Sequence, residues 1–386
     1  MNTDAMTLAP EQLVEALEAR MPRRQAEIAE RDARGGVARI RITSYMENIG
    51  WPELFGYDMN RFFADPAFAI EQRLRQAIFW TDNVADDTLP TLTLPADVGM
   101  YFDLTLFRQR IIHTPQGVPE FAPHPLQARL ALEEVGNFDF LHTGEMPRLI
   151  ANYQRMVALA RDVYGGRLTV TFPHFHRGPL DIFVQLRGYE NALEDMAERP
   201  EQVHAFLAFF ADARLRYARA RQAFLGEAAL PPTTFVADDW VNIPFIRPDM
   251  FRDFVVPVYR RSRAGEGLVR GFHTCGCFEA VVAELLDVFP EMRALEVSGW
   301  NDVRAIHAAV DPRVAFEVHV RNAVSLSASV EEQQELLTAI ADVGCTRPVS
   351  VCAQAIVRLL PTYEETLARL NRFIALGHRQ FSAARA

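Results

Sequence analysis

The segment Leu268-Val-Arg-Gly-Phe-His273-Thr-Cys275-Gly-Cys277 sets an imidazole and a thiol two residues apart at the end of an apolar run. Residues i and i+2 of an extended strand leave the same face, so His273 and Cys275 can reach one point. Cys352 ends another apolar run, and Glu296 lies near the end of the run that follows His273. An imidazole, two thiolates and a carboxylate suit zinc, whose filled d shell asks only for compact tetrahedral packing. A thiol is mostly protonated near neutral pH, and metal coordination strips that proton while leaving the sulfur nucleophilic. The chemistry such a set would do is attack by a thiolate on an electrophilic carbon. Taken from the residues alone, other readings stay open. Buried cysteines are common, and a strand-end histidine often only hydrogen-bonds. Cys275 and Cys277 could form a redox pair, although i and i+2 on a strand have Cα atoms about 6.5–7 Å apart, at or beyond disulfide geometry. Cys277 and Cys345 read as small core or loop thiols.

These residues need a frame that brings strand ends together. Eight strand candidates run through the chain: Val37–Thr43, Val98–Leu104, Arg167–Phe172, Thr233–Asp238, Leu268–His273, Arg293–Ser298, Arg313–Val318 and Arg347–Cys352. Between the later ones lie helix patterns at Pro248–Arg263, Phe278–Phe289, Asp302–Ala309, Ser329–Val343 and Thr362–Leu376, with Ser329 and Glu332 spaced as a capping box. Alternating β and α segments, eight strands in all, predict an α/β fold of the (β/α)8 TIM-barrel type, with the site at the C-terminal strand ends. The competing doubly wound sheet lacks its glycine-rich first turn. A helical arm at Pro10–Arg31, an irregular span from Ile49 to Pro95 and a helical stretch from Tyr189 to Phe224 read as an extension and insertions around one barrel. The expected division is a mainly helical N-terminal extension over 1–36 and a barrel over 37–386.

Position at barrel strand ends singles out further residues. Glu296 and Asp239 are the candidate catalytic carboxylates. Asp238, Asp239 and Trp240 could fix a polar substrate, or else cap a helix and pack a loop. His174 and His176 could orient substrate or move a proton, or else be exposed loop histidines. Tyr101, Asp103, His319 and Arg321 are substrate-contact candidates by position, and Arg321 would suit a carboxylate.

Composition narrows the function class. Of 386 residues, 40 are basic and 50 acidic, a net charge of -10, and every basic residue is arginine. Without lysine there is no Schiff-base chemistry and no P-loop. The acidic balance argues against nucleic acid as partner. No apolar run is long enough for a membrane helix, and the first residues lack a signal pattern, so no membrane partner and a cytoplasmic location are expected. Four cysteines, all beyond residue 270, make a poor disulfide framework and a better metal or thiol cluster.

His273-Thr-Cys275 at one strand end, a glutamate one strand later and a solitary Cys352 resemble the zinc sites of the uroporphyrinogen decarboxylase/cobalamin methyltransferase superfamily and of cobalamin-independent methionine synthase. Gly178-Pro-Leu, the stretch Gly188-Tyr-Glu-Asn-Ala-Leu-Glu-Asp-Met-Ala-Glu-Arg-Pro, Ala237-Asp-Asp-Trp and Arg247-Pro-Asp-Met-Phe look like other family segments. The resemblance spans roughly residues 150–380. It implies a TIM barrel, with zinc held by His273, Cys275 and Cys352 and, on a looser match, Glu296. The arginine-rich N-terminal motif with which true uroporphyrinogen decarboxylases meet their substrate's carboxylates is absent, which puts porphyrin decarboxylation behind methyl transfer. The implied activity is a zinc-dependent methyltransferase moving a methyl group to or from a zinc-activated thiol, with a small thiol or methylated compound as substrate. The alternatives are a decarboxylase or lyase acting on a small carboxylated substrate, and a non-catalytic zinc- or corrinoid-protein-binding module. No D-x-H-x-x-G corrinoid-ligand pattern occurs, so a corrinoid methyl carrier would come on a separate protein or as free cofactor; a folate carrier and a homodimer are equally compatible.

Overall fold

A computed structural model describes residues 1–33, 40–99, 101–117, 119–136, 138–228, 233–266 and 268–384. Eight parallel strands form the frame: β1 Arg41–Met46, β2 Thr93–Pro95, β3 Thr169–Thr171, β4 Thr233–Ala237, β5 Leu268–His273, β6 Ala294–Val297, β7 Ala315–Val320 and β8 Val349–Ile356. Six of them make one sheet in the order β1-β8-β7-β6-β5-β4, and β2 pairs with β3. The pieces close into a ring on one side through the chain after β3, where Gly178 N–H donates to the Ala237 carbonyl (2.6 Å) and Ala237 N–H to the His176 carbonyl (2.9 Å). On the other side, between β1 and β2, the described residues form no ladder. The link there is Asp87, whose N–H donates to the Ile42 carbonyl (2.6 Å) and whose carboxylate accepts the Ile42 N–H (2.8 Å). The chain is therefore a TIM-type α/β barrel with one loosely sewn seam.

Period-two patterning explains the strands. In β7, Phe316, Val318 and Val320 are almost fully buried on one face, while Glu317 and His319 share the other. Each fully buried side chain of this size contributes roughly 1.5–3 kcal/mol. The helices follow their caps. Asp302 accepts from the N–H groups of Arg304 and Ala305 at the start of Val303–Ala309, and Ser329 and Glu332 form the expected capping box on Val330–Gly344.

The N-terminal region is mainly helical. Helix α1, Leu13–Ala33, lies against α2, Pro66–Asn83. The buried Arg24 of α1 donates to the carbonyls of Thr81 and Val84, at 2.6 Å each, where α2 ends. Those C-terminal carbonyls have no partner within their own helix, so the guanidinium supplies one.

Several expected boundaries move. The second strand lies at Thr93–Pro95 instead of Val98–Leu104, because Asp97 accepts the Gly99 N–H (2.7 Å) and Gly99 takes φ +108°, a turn that ends the extended run. Phe102–Thr105 is a single helical turn instead. Tyr189–Phe224 is two helices, Tyr189–Glu198 and Pro200–Leu225, broken where Pro200 excludes helical backbone from Arg199. Residues 37–39 of the first strand candidate, and the 36/37 division, fall outside the described residues. β8 runs four residues beyond Cys352. Among the described residues no helix is long and apolar enough to cross a membrane.

Candidate metal centre at the barrel mouth

β5 ends at His273, and a pinned turn follows. Thr274 Oγ1 donates to the Val241 carbonyl (2.9 Å), and the N–H groups of Cys277 and Phe278 donate to Asn242 and Asn301 side chains (3.0 and 2.9 Å). Glycine is required at 276 because a Cβ there would lie 1.9 Å from the Asn242 side chain. Cys275 N–H donates to Asp239 Oδ1 (3.1 Å), so this turn fixes the thiol beside that carboxylate.

His273 is the hub. Its Nε2 lies 3.3 Å from both Cys275 Sγ and Asp239 Oδ1, and its Nδ1 meets Glu296 Oε2. Glu296 Oε2 is also 3.5 Å from His319 Nε2, which is 2.9 Å from Glu317 Oε1. Potential ligand atoms lie within 4.8 Å of one another in three overlapping groups: Asp239–His273–Cys275, His273–Glu296–His319 and Glu317–His319–Cys352.

The electrostatics describe a place for a cation. Burial would lower the His273 pKa, but hydrogen bonds with Asp239, Cys275 and Glu296 raise it to about 12. Burial would raise Asp239, yet His273 and Cys275 hold it below the usual carboxylate range. Burial pushes the Cys275 thiol up, and burial with the nearby Glu317 charge pushes Cys352 up to about 12. Glu317 is lowered by its bond to His319. A cluster of imidazoles, thiols and carboxylates that keeps a proton on one imidazole has the charge and donor types a borderline-soft divalent ion prefers. The buried His319 keeps an Nδ1 with no hydrogen-bond partner.

The expected ligand set is thus brought to one end of the barrel but not into one group. Cys352 stands in register between Thr43 and His319 in mid-strand, and its sulfur groups with His319 and Glu317 instead of with His273 and Cys275. Glu296 meets His273 at the nitrogen opposite Cys275, the arrangement in which a carboxylate orients a ligating histidine. A Glu296 carboxylate oxygen also counts among the potential ligand atoms of the His273–Glu296–His319 group.

Other sequence candidates separate. Asp238 is fully buried and accepts from the N–H groups of Leu180 and Asp181 (3.3 and 2.8 Å) and from Tyr259 Oη (3.0 Å). It caps the helix Pro179–Arg187 and is not placed to bind substrate; burial drives its pKa well up. A Cβ on Gly178 would strike this carboxylate at 2.2 Å. Trp240 stacks on Tyr189 at 5.0 Å and packs by Phe245. His174 and His176 face each other at 5.5 Å, and burial pulls His176 down to about 4. Asp103 is buried in an ion pair with Arg177 (2.9 Å), which also binds Asp181 (2.5 Å) and lies over Tyr101. Arg321 lies over Trp300, 4.1 Å from the ring centroid.

The sequence reading passed over Glu317 and Tyr45. Glu317 is legible as the alternation Glu317-x-His319 on one strand face. Tyr45 lies beyond the expected end of the first strand. Its hydroxyl is pushed up by burial and then by the ionisable groups Cys352, Glu47, Cys275 and Glu296.

The profile of the uroporphyrinogen decarboxylase (URO-D) family matches residues 110–323. The chain belongs to the uroporphyrinogen decarboxylase family. That span holds every residue of the first two metal-ligand groups, while Cys352 lies beyond it. Among solved structures the URO-D fold is shared with a methyltransferase from Methanosarcina mazei, at a TM-score of 0.60 and 14% identity, over 87% of this chain and 93% of that one. No curated protein matches the chain.

Proposed function

We propose that this URO-D family member is a zinc-dependent methyltransferase that moves a methyl group to or from a small thiol. The observation that carries the reading is His273, one imidazole set between Asp239 and Cys275 on one nitrogen and Glu296 on the other. His273 and Cys275 would hold the ion with Asp239 beside them. Cys352, grouped with His319 and Glu317 on the other side of Glu296, would supply a second sulfur as these overlapping groups close on the ion. When bound, zinc would supply the Lewis acidity that keeps a small thiol ionised near neutral pH.

The chain's own groups do the rest. Glu296 holds the proton on His273 Nδ1 and so leaves Nε2 free to ligate. Asp239, whose carboxylate meets both His273 and the Cys275 backbone, would accept the thiol proton. The sulfur–carbon bond then forms as the bond between the methyl carbon and its leaving group breaks. The methyl carrier, a corrinoid on a separate protein or a free methylated compound, would approach from above the strand ends.

The test is chelation followed by metal readdition, with methyl transfer to a thiol acceptor scored by mass. Activity lost and restored with zinc supports the reading; full activity in metal-free protein overturns it. Carbon dioxide release without methyl movement would favour the decarboxylase alternative.

A further inference from the structure

The loosely sewn seam between β1 and β2 opens into a cavity of about 270 Å³. Its walls come from the two unpaired strand edges, Ser44–Met46 and Thr93–Pro95, and from the face of α2 that carries Arg73, Ala77 and Trp80. Closed barrels of this kind bond every strand to its neighbour, so an opening here is a departure with a definite lining. We propose that this seam cavity binds an aryl group of the substrate.

Three aromatic side chains, Tyr45, Trp51 and Trp80, stand in the lining, and the two indoles are fixed in place. Trp51 and Trp80 meet edge to face, with centroids 5.8 Å apart. Trp80 is held by its indole N–H, which donates to Asp86 (3.3 Å). Asp86, fully buried, also accepts from the hydroxyls of Ser44 (2.5 Å) and Thr88 (2.7 Å). Polar groups spent on one another in this way leave ring faces and apolar side chains for a ligand, and aromatic partners pack best against such offset or edge-on rings. At the rim Arg73 pairs with Asp97 (3.0 Å), but its buried Nε–H has no partner. An oxygen acceptor on the ring would satisfy it. A cavity of roughly 150 Å³ admits benzene, so the space here fits a ring with one or two small substituents.

Tyr45 connects this space to the chemistry. It lines the cavity. Thr43, two residues earlier and on the same strand face, is in register with Cys352. A ring seated against Trp51 and Trp80 would direct a substituent past Tyr45 towards the barrel interior.

This inference rests on the methyl-transfer reading only for why the ring is there, and binding is measured without turnover. The probe is 4-methoxybenzoate, titrated against tryptophan fluorescence, with cyclohexanecarboxylate as the non-aromatic comparison. Saturable quenching is expected for the wild type and for Cys275→Ser, which leaves the cavity intact. Binding should weaken at least ~10-fold in Ala77→Leu, which fills the cavity from a helix position. It should also weaken in Leu89→Glu, a lip residue 53% exposed whose exchange spares the core. No saturable binding to the wild type, unchanged affinity in both filled and charged variants, or equal affinity for the two carboxylates would overturn the proposal. Loss of methyl transfer alone would leave it standing.

Discussion

Glu296 touches His273 at Nδ1, the ring nitrogen turned away from Cys275. A carboxylate in that position sets the tautomer and heading of an imidazole whose other nitrogen faces the ligand group. Glu296→Gln should therefore keep metal but bind it about 10–100-fold more weakly, the usual effect of losing such an outer partner. Competition with a chromophoric chelator measures this, and unchanged affinity would remove Glu296 from the site.

Metal binding should release protons. His273 has its pKa raised to about 12, Cys352 is pushed up to about 12, and Cys275 is raised. Near neutral pH all three carry a proton that a ligating atom must give up. One from each makes about three per ion, so affinity should rise with pH. Calorimetry in buffers of different ionisation enthalpy counts them; a pH-independent affinity would contradict the assignment.

The Asp181 carboxyl gives a pH dependence away from the metal centre. Burial raises it to about 6 against the opposing pull of Arg177. A folded-state pKa above the unfolded one favours the fold while the group is protonated. Its contribution is full below about pH 4 and is lost as pH rises through about 6, on the order of 3 kcal/mol if the shift acts alone. Asp181→Asn should flatten that part of the stability profile in denaturant unfolding, whatever it does to absolute stability.

Arg24→Met should cost about 2–4 kcal/mol, because it strips partners from the buried carbonyls of Thr81 and Val84 at the end of α2. The loss would be read as a lower unfolding midpoint. Since α2 also walls the seam cavity, weaker aryl binding should accompany it.

The parts of this molecule written in local spacing were legible from sequence. His273-Thr-Cys275 follows from strand periodicity, Ser329 and Glu332 from helix capping, and the barrel from alternating segments. What escaped depends on partners distant in the chain. Asp238 and Asp239 are adjacent, yet one is buried on the N-terminus of Pro179–Arg187 and the other meets His273; period two separates them, and only the neighbouring elements decide which goes where. Tyr45 was missed because apolar character fades before β1 ends. The second strand was misplaced because three residues, with only Leu94 buried, carry almost no pattern. The grouping of Cys352 with His319 and Glu317 is set by register across β7 and β8, which no single segment encodes.

X-ray absorption at the zinc edge, on the reconstituted wild type and on Cys352→Ser, tests the central claim most directly. Two sulfur neighbours in the wild type and one in the variant are predicted, with Cys275→Ser losing the other. One sulfur in both wild type and Cys352→Ser, or no zinc retained by the wild type, would contradict the account.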